Sequence, residues 1–454
     1  MLQLSAGSSR RRFLQSGAAL GAFGFSPAAG MAGRREGGGG AARAKAVIVL
    51  LLEGGMSHFE SWDPKPEAPE EVRGSFGQIA TTNPQLSIGE HMPLLAQQAH
   101  LYNVVRSVYM DNTRRDHSPG LHWVLTGYDN QAAGVSLMRE NTHPSVGSVV
   151  SHCRGTRAGK GVPNFVAVPN QTQLGGRVNY ARAVHLGAGC EPFDAGTIPE
   201  SAKAAYSVPA GLVLPRDVSV RRLEDRRTLS ATFDRLRQQR ERSAKANEMN
   251  GYQQQVFDLL LSQRGRDAFD INQESAETRA MYGDSRMGQG TLLARRLVEA
   301  GASYVLVNYS KNNSWDTHGN NFDKLKNNLL PPMDRATSAL LIDLEQRRLL
   351  DDVLVLKMGE MGRTPLINKN SGRDHWPDVF SLMIAGGGLT RGQVLGSSTK
   401  TGETPLDRAV HYREILATVY SQLGIDPHLM LADTAGREVR ILPPAEPVRE
   451  LVAG

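Results

Sequence analysis

An α/β fold, with a mostly parallel central sheet and helices on both of its faces, is what this sequence predicts, and three observations predict it. The first is a set of short apolar runs: "KAVIVLLLEGG" (45–55), "ASYVLVNY" (302–309), "VLVLKMGE" (353–360) and "VFSLMIAGGG" (379–388). Runs of this length, rich in Val, Ile and Leu and without polar alternation, suit strands buried on both faces. The second is a repeated grammar of helix, glycine stop and strand, as in "GQGTLLARRLVEAGASYVLVNY" (288–309), which implies parallel strands joined by helical crossovers. The third is bulk: 454 residues, 40% hydrophobic and 22% charged, have the composition of a soluble globular protein with a large core.

The elements follow in order. "HMPLLAQQAHLYNVVRSV" (91–108) reads as a short helix and then a strand near 101–107. "HSPGLHWVLTG" (117–127) and "HPSVGSVVSHC" (143–153) each open a helix with a proline near the first turn. "PNFVAVP" (163–169) is a short strand between prolines. Residues 217–263 carry apolar positions at helical spacing with charges between them. The stretch from 320 to 352 is a long helix, interrupted or bent near Pro331 and Pro332, and "HYREILATVYSQLGI" (411–425) is a closing helix. The tail from 426 has only a weak pattern.

The start, "SSRRRFLQSGAALGAFGFSPAAGMAG", fits a twin-arginine export leader, with Arg10 to Arg12 ahead of a weakly apolar stretch and small residues around Ala28 to Ala32. The expected organisation is a leader at 1–32, a flexible linker at 33–44, one domain at 45–443 with a helical insertion at 217–290, and a tail at 444–454. Periplasmic or secreted localisation follows, with the twin-arginine machinery as a partner. Residues 1–32 hold those three arginines and no acid, so the net charge of +6 falls to about +3 without them. That gives no support to nucleic-acid binding, which needs a concentrated basic face. No later run has the length of a membrane-spanning helix. Cys153 and Cys190 show no metal-binding spacing and are read as structural or free.

In open α/β sheets a ligand site lies beyond the carboxyl ends of the strands. Glu53, Ser57, His58 and Asp63 follow the first strand; Asp116, His117, Ser118 and His122 follow the second. Asp316 and His318 follow 303–308, Glu360 and Arg363 follow 353–358, and Arg373, Asp374 and His375 come next. Carboxylate and imidazole together suit Zn²⁺, Mn²⁺ or Fe²⁺. Asp316 and His318, two apart, face one ion only in loop backbone, since a helix would turn them about 200° apart. Arg363 and Arg373 offer bidentate grips for an anion. Each feature also has a plainer meaning. An Asp–His pair is often a hydrogen-bonded structural pair, an Asp beside loop Asn residues is often a turn cap, and His117 or His122 suits a satisfied core histidine. Glu360 suits a helix cap. Several such groups following strand ends is what favours a site.

Several stretches resemble domain-of-unknown-function family 1501: "LLLEGGMSHFESWDPKP", "RRDHSPGLHWVLTG", "SWDTHGNNF" and, most specifically, "GEMGRTP" followed by "GRDHWP". The resemblance covers about 45–443. It implies an alkaline-phosphatase-like fold, whose relatives use two metal ions and a Ser, Thr or modified Cys nucleophile. On that resemblance Glu53 stands at the first-strand acid, Asp316 and His318 at a later Asp/His pair, Glu360 at a strand-end acid, and His375 at the last His, with Asp374 beside it. Thr113 or Ser118 lies in the nucleophile region. Cys153 is followed by "RGTR", which excludes a formylglycine-type sulfatase signature. The expectation is an exported hydrolase of phosphate or sulfate esters, acting on a small-molecule or glycan ester. One or two divalent ions (zinc, manganese or calcium) would serve it, with Arg363 or Arg373 on the anion and Ser118, Thr113 or a water as attacker. The alternative is a non-catalytic envelope protein of the same fold that binds sulfated or phosphorylated glycans.

Overall fold

The computed structural model describes residues 42–111, 115–129, 141–155, 161–169, 180–209, 212, 260–311 and 313–452. The leader, most of the linker, Thr113 and most of the expected 217–263 helix lie outside these. In chain order the elements that build the site are β1 (Ala46–Leu51), β2 (Tyr102–Tyr109), α1 (His117–Thr126), α2 (Val146–Arg154), β3 (Phe165–Val168) and β4 (Phe193–Asp194). They continue with α3 (Arg286–Ala300), β5 (Tyr304–Asn308), α4 (Leu330–Gln346), β6 (Val353–Met358), β7 (Gly362–Arg363) and β8 (His375–Trp376). Last come β9 (Phe380–Gly386), β10 (Val394–Leu395), β11 (Val410–His411) and α5 (Tyr412–Gln422).

Among the described residues one sheet has nine strands, in the order β10-β2-β9-β6-β1-β5-β3-β4, with β11 also on β2. β1 is parallel to β5 and β6, and β5 to β3. β9 runs antiparallel to both β2 and β6. Every residue of β1 is buried, as its unbroken apolar run requires. Its alternate side chains feed two cores. Ile48 and Leu50 pack with Leu292, Leu293 and Leu340 of α3 and α4. Val47, Val49 and Leu51 pack with Leu121, Val149 and Leu416 of α1, α2 and α5.

Register places the chemistry. Leu51 pairs with Asn308 on one side and Met358 on the other, so three chain segments leave the sheet at one edge. β2 ends at that edge, because Val108 pairs with Phe380 at the start of the antiparallel β9. The residues just before β9 therefore arrive where the residues after β1, β2, β5 and β6 depart.

Several expectations are sharpened or corrected. The interruption expected near Pro331 and Pro332 is a π-helical turn at Leu325–Leu329, and the α-helix resumes at Leu330 with the prolines in its first turn. No helix follows "GRTP": Gly362 and Arg363 form a strand pair with His375 and Trp376. The C-terminal stretch, whose sequence pattern is weak, is packed: Val448 and Leu451 are fully buried and Leu389 bridges Val452. One charge lies inside the sheet. Lys357 on β6 is fully buried against Met333 and the Trp62 ring, and burial pulls its amine down to about 7 against the opposing pull of Asp334. No helix of the described residues is long and apolar enough to cross a membrane.

Candidate metal centre

The site is assembled from loops that follow strand ends, and two close approaches let the loops meet. Gly54, after β1, has φ +113°, and a Cβ there would lie 2.4 Å from the Asp316 nitrogen. A Cβ on Gly372 would lie 2.1 Å from the carbonyl carbon of His318. Any side chain at either position would push the Asp316–His318 loop away from its neighbours. The loop "WDTHG" (315–319) is non-helical, the backbone that lets Asp316 and His318 turn to one point.

Three imidazoles approach the Asp316 carboxylate. His318 Nε2 is 3.0 Å and His375 Nε2 3.2 Å from Oδ1, and His117 Nε2 is 3.1 Å from Oδ2. Each ring is held from behind by an oxygen. His318 Nδ1 lies 2.6 Å from Asp374 Oδ1, His117 Nδ1 2.6 Å from Glu360 Oε1, and His375 Nδ1 2.6 Å from the Arg115 carbonyl. Carboxylates and carbonyls only accept, so each Nδ1 carries the proton and donates it. In the neutral rings each Nε2 is then a lone pair turned to the centre. His318 Nε2 and His375 Nε2 face one another at 3.0 Å. Two lone pairs at that separation repel unless a proton or a cation lies between them. His117 Nε2 is buried and has no well-aligned hydrogen bond despite its closeness to Asp316.

Asp316 Oδ1 and the Nε2 atoms of His318 and His375 form a triangle with sides of 3.0, 3.2 and 3.0 Å. Ligands roughly 2.0–2.2 Å from a common tetrahedral ion stand about 3.3 Å apart, so the donor set fits a divalent ion. One donor atom each from His117, Asp316 and His375 lies within 4.8 Å of the others.

Electrostatics follow from these contacts. Burial alone would raise the Asp316 carboxyl, but His117, His375 and Arg363 outweigh it and hold it well below the usual carboxylate range. Burial likewise disfavours charge on His117, while the carboxylates of Asp316 and Glu360 on either side push it up to about 10. The His318 bond lowers Asp374. Glu53 is raised to about 7, first by burial and then by Glu360.

The expected residues divide into those at the centre and those behind it. Asp316, His318 and His375 converge. Asp374 and Glu360 are not turned to the same point: Asp374 anchors His318, and Glu360 anchors His117 while accepting the Gly54 N–H at 2.8 Å. Glu53 accepts Asn308 Nδ2 at 2.8 Å, and its other oxygen has no hydrogen bond. Ser118 sits one residue into α1 and bonds Tyr180. Thr113 lies outside the described residues.

The arginines are corrected. Arg373 is fully buried; it donates to Glu60 at 3.0 and 2.6 Å, to Thr364 and Val72 carbonyls at 3.1 and 2.7 Å, and to the Pro365 carbonyl. It has no donor left for an anion. Arg363, also fully buried, donates to the Gly55 carbonyl at 2.9 Å, to the Gly54 carbonyl, and to Asp316 Oδ1 at 2.7 Å. It orients Asp316. His117 was the residue that sequence reasoning passed over as a core histidine. The signal was available: it opens the first helix after β2, with Asp116 as N-cap.

Residues 44–452 match the family described as "Protein of unknown function (DUF1501)". The chain belongs to the DUF1501 family. No curated protein matches this DUF1501 chain. Solved structures similar to it include a protein in the alkaline phosphatase superfamily from Vibrio parahaemolyticus, at 13% identity and TM-score 0.36, covering 85% of this chain and 69% of that one. A lipoteichoic acid synthase from Listeria monocytogenes shows 10% identity and TM-score 0.36, covering 88% and 75%. A phosphonate monoester hydrolase from Silicibacter pomeroyi shows 9% identity and TM-score 0.32, covering 85% and 73%.

Proposed function

We propose that this DUF1501 protein is an exported, metal-dependent hydrolase of phosphate or sulfate esters, with Asp316, His318 and His375 as ligands and His117 beside them. The observation that carries it is the meeting of His318 and His375 Nε2 at 3.0 Å on one carboxylate, with both Nδ1 protons engaged elsewhere. A divalent ion bound there supplies a Lewis acid for an ester oxygen and for charge developing on the transferred group. Asp374, Glu360 and the Arg115 carbonyl keep the three rings in the ligating tautomer. Arg363 fixes the Asp316 carboxylate. Ser118 lies one residue from His117, at the positive end of α1, where an oxyanion is favoured. The leader at 1–32 is the basis for export by the twin-arginine route, with a small-molecule or glycan ester as substrate.

The commitment of Arg363 and Arg373 to protein partners favours a second reading, a binding protein without turnover. One experiment separates the two. The purified protein is stripped with chelator, reloaded with zinc, manganese or calcium, and offered p-nitrophenyl phosphate and p-nitrophenyl sulfate. Turnover that returns with an ion and disappears in His375→Ala supports the hydrolase. No turnover of either ester with any added ion favours the binding protein, and absence of stoichiometric metal in the same preparation rules out the metal-dependent hydrolase.

A further inference from the structure

We propose that Arg115 is a positioning residue that staples the segment carrying His117 to the segment carrying His375, and thereby sets the affinity of the centre for its ion. The inference rests on the metal-centre reading above. Arg115 has φ +50°, a left-handed conformation that a non-glycine residue keeps only where its surroundings hold it. What holds it is a run of successive residues on the opposite segment. Its carbonyl accepts from His375 Nδ1 at 2.6 Å. Its guanidinium lies over the Trp376 ring, 4.2 Å from the centroid. The Pro377 carbonyl accepts the Met110 N–H at 3.3 Å, just upstream. Arg115 Nη2 donates to Asp378 Oδ2 at 2.8 Å.

His375, Trp376, Pro377 and Asp378 are thus gripped in turn by Met110 and Arg115. Trp376 is also held at its ring edge, where Nε1 donates to the Glu403 carbonyl at 2.7 Å. His117 follows Arg115 by two residues, and its ring stands 4.3 Å from that of His375, centroid to centroid. The pairing of β8 with β7 ties His375 to Arg363, and Glu360 holds His117 from behind. The Arg115 side chain ties the residues just before His117 directly to those just after His375. Asp378 neutralises the guanidinium, so the staple adds no net charge beside the ion. An outer partner of this kind acts by fixing a ligand ring's direction and tautomer.

The test is zinc affinity of the full-length chain, measured by competition with a chromophoric chelator, with the ligand-field spectrum of the cobalt-loaded protein as a second readout. Arg115→Ala is expected to weaken zinc binding about 10–100-fold, to shift the cobalt spectrum, and to leave the melting midpoint of the metal-free protein in place. Arg115→Lys should recover part of the loss, since an ammonium still stacks and pairs but lacks the planar fork. Asp378→Asn should move affinity the same way by less. Arg391→Ala, which removes a surface arginine paired with Glu345 and Asp351, should bind zinc like the wild type. Wild-type affinity in Arg115→Ala overturns the staple and leaves the metal centre standing. So does a fall in affinity that Arg115→Lys does not relieve and that only follows a fall in the metal-free melting midpoint. A wild-type protein that takes up no zinc sinks the metal-centre reading, and the staple with it.

Discussion

Residues 373 to 375 divide two charged clusters that obey opposite rules. On one side Arg373 and Glu60 are both buried, and every guanidinium nitrogen of Arg373 meets an oxygen. On the other side His375 and His318 point bare nitrogens at each other across Asp316. A buried charge that serves only the fold must be paired, because an unpaired one costs several kcal/mol. Arg373 spends every donor it has, although Glu60 Oε2 is left without a hydrogen bond. A ligand set leaves its lone pairs unspent and saturates only the far side of each ring. The two clusters can therefore be told apart by their nitrogens: those of Arg373 are all spent on oxygens, while the Nε2 atoms of His318 and His375 face one another.

That contrast is breakable. The largest expected effect is Asp316→Ala, which removes the carboxylate shared by three imidazoles. Elemental analysis should find no stoichiometric metal in a protein that still folds, and a retained ion would move the centre elsewhere. Next is Glu60→Ala, which strands the Arg373 charge in the interior and should cost about 3–5 kcal/mol in denaturant unfolding. Metal affinity of the folded fraction should stay near wild type, since Glu60 touches no ligand. If stability holds while metal is lost, the division between the clusters is wrong.

Smaller is Glu360→Gln, which weakens the acceptor behind His117. Zinc affinity should fall roughly 10-fold or somewhat more, by chelator competition. No change would remove His117 from the centre.

A separate effect, on stability alone, concerns Lys357, a buried charge outside both clusters. Its amine is held down to about 7, so between that pH and 10.5 the unfolded chain binds more protons than the native one. Stability therefore rises with pH across this window and carries the full penalty below it. Lys357→Met should stabilise the protein at pH 7 and remove that rise, measured by urea unfolding at several pH values.

The sheet was legible in the sequence because strands buried on both faces need unbroken apolar runs, and those of β1, β5, β6 and β9 have no competing period. The edge at which Asp316, His318 and His375 gather followed from the same logic. The split between ligands and their supports was not legible. Asp374 and His375 are adjacent, yet only His375, in the short strand, reaches the centre, while Asp374 just before it is taken up by His318 Nδ1. Arg373 and Arg363 looked alike to an anion until their partners were visible. His117 was visible only as one histidine among several, and the Arg115 carbonyl behind His375 left no trace in side-chain chemistry.

The most direct measurement of the central claim is X-ray absorption at the zinc edge of the loaded full-length protein. The account predicts a nitrogen and oxygen shell near 2.0–2.2 Å with outer-shell scattering from at least two imidazoles, both features lost in Asp316→Ala. A shell of oxygens with no imidazole scattering, or one unchanged by that substitution, would contradict it.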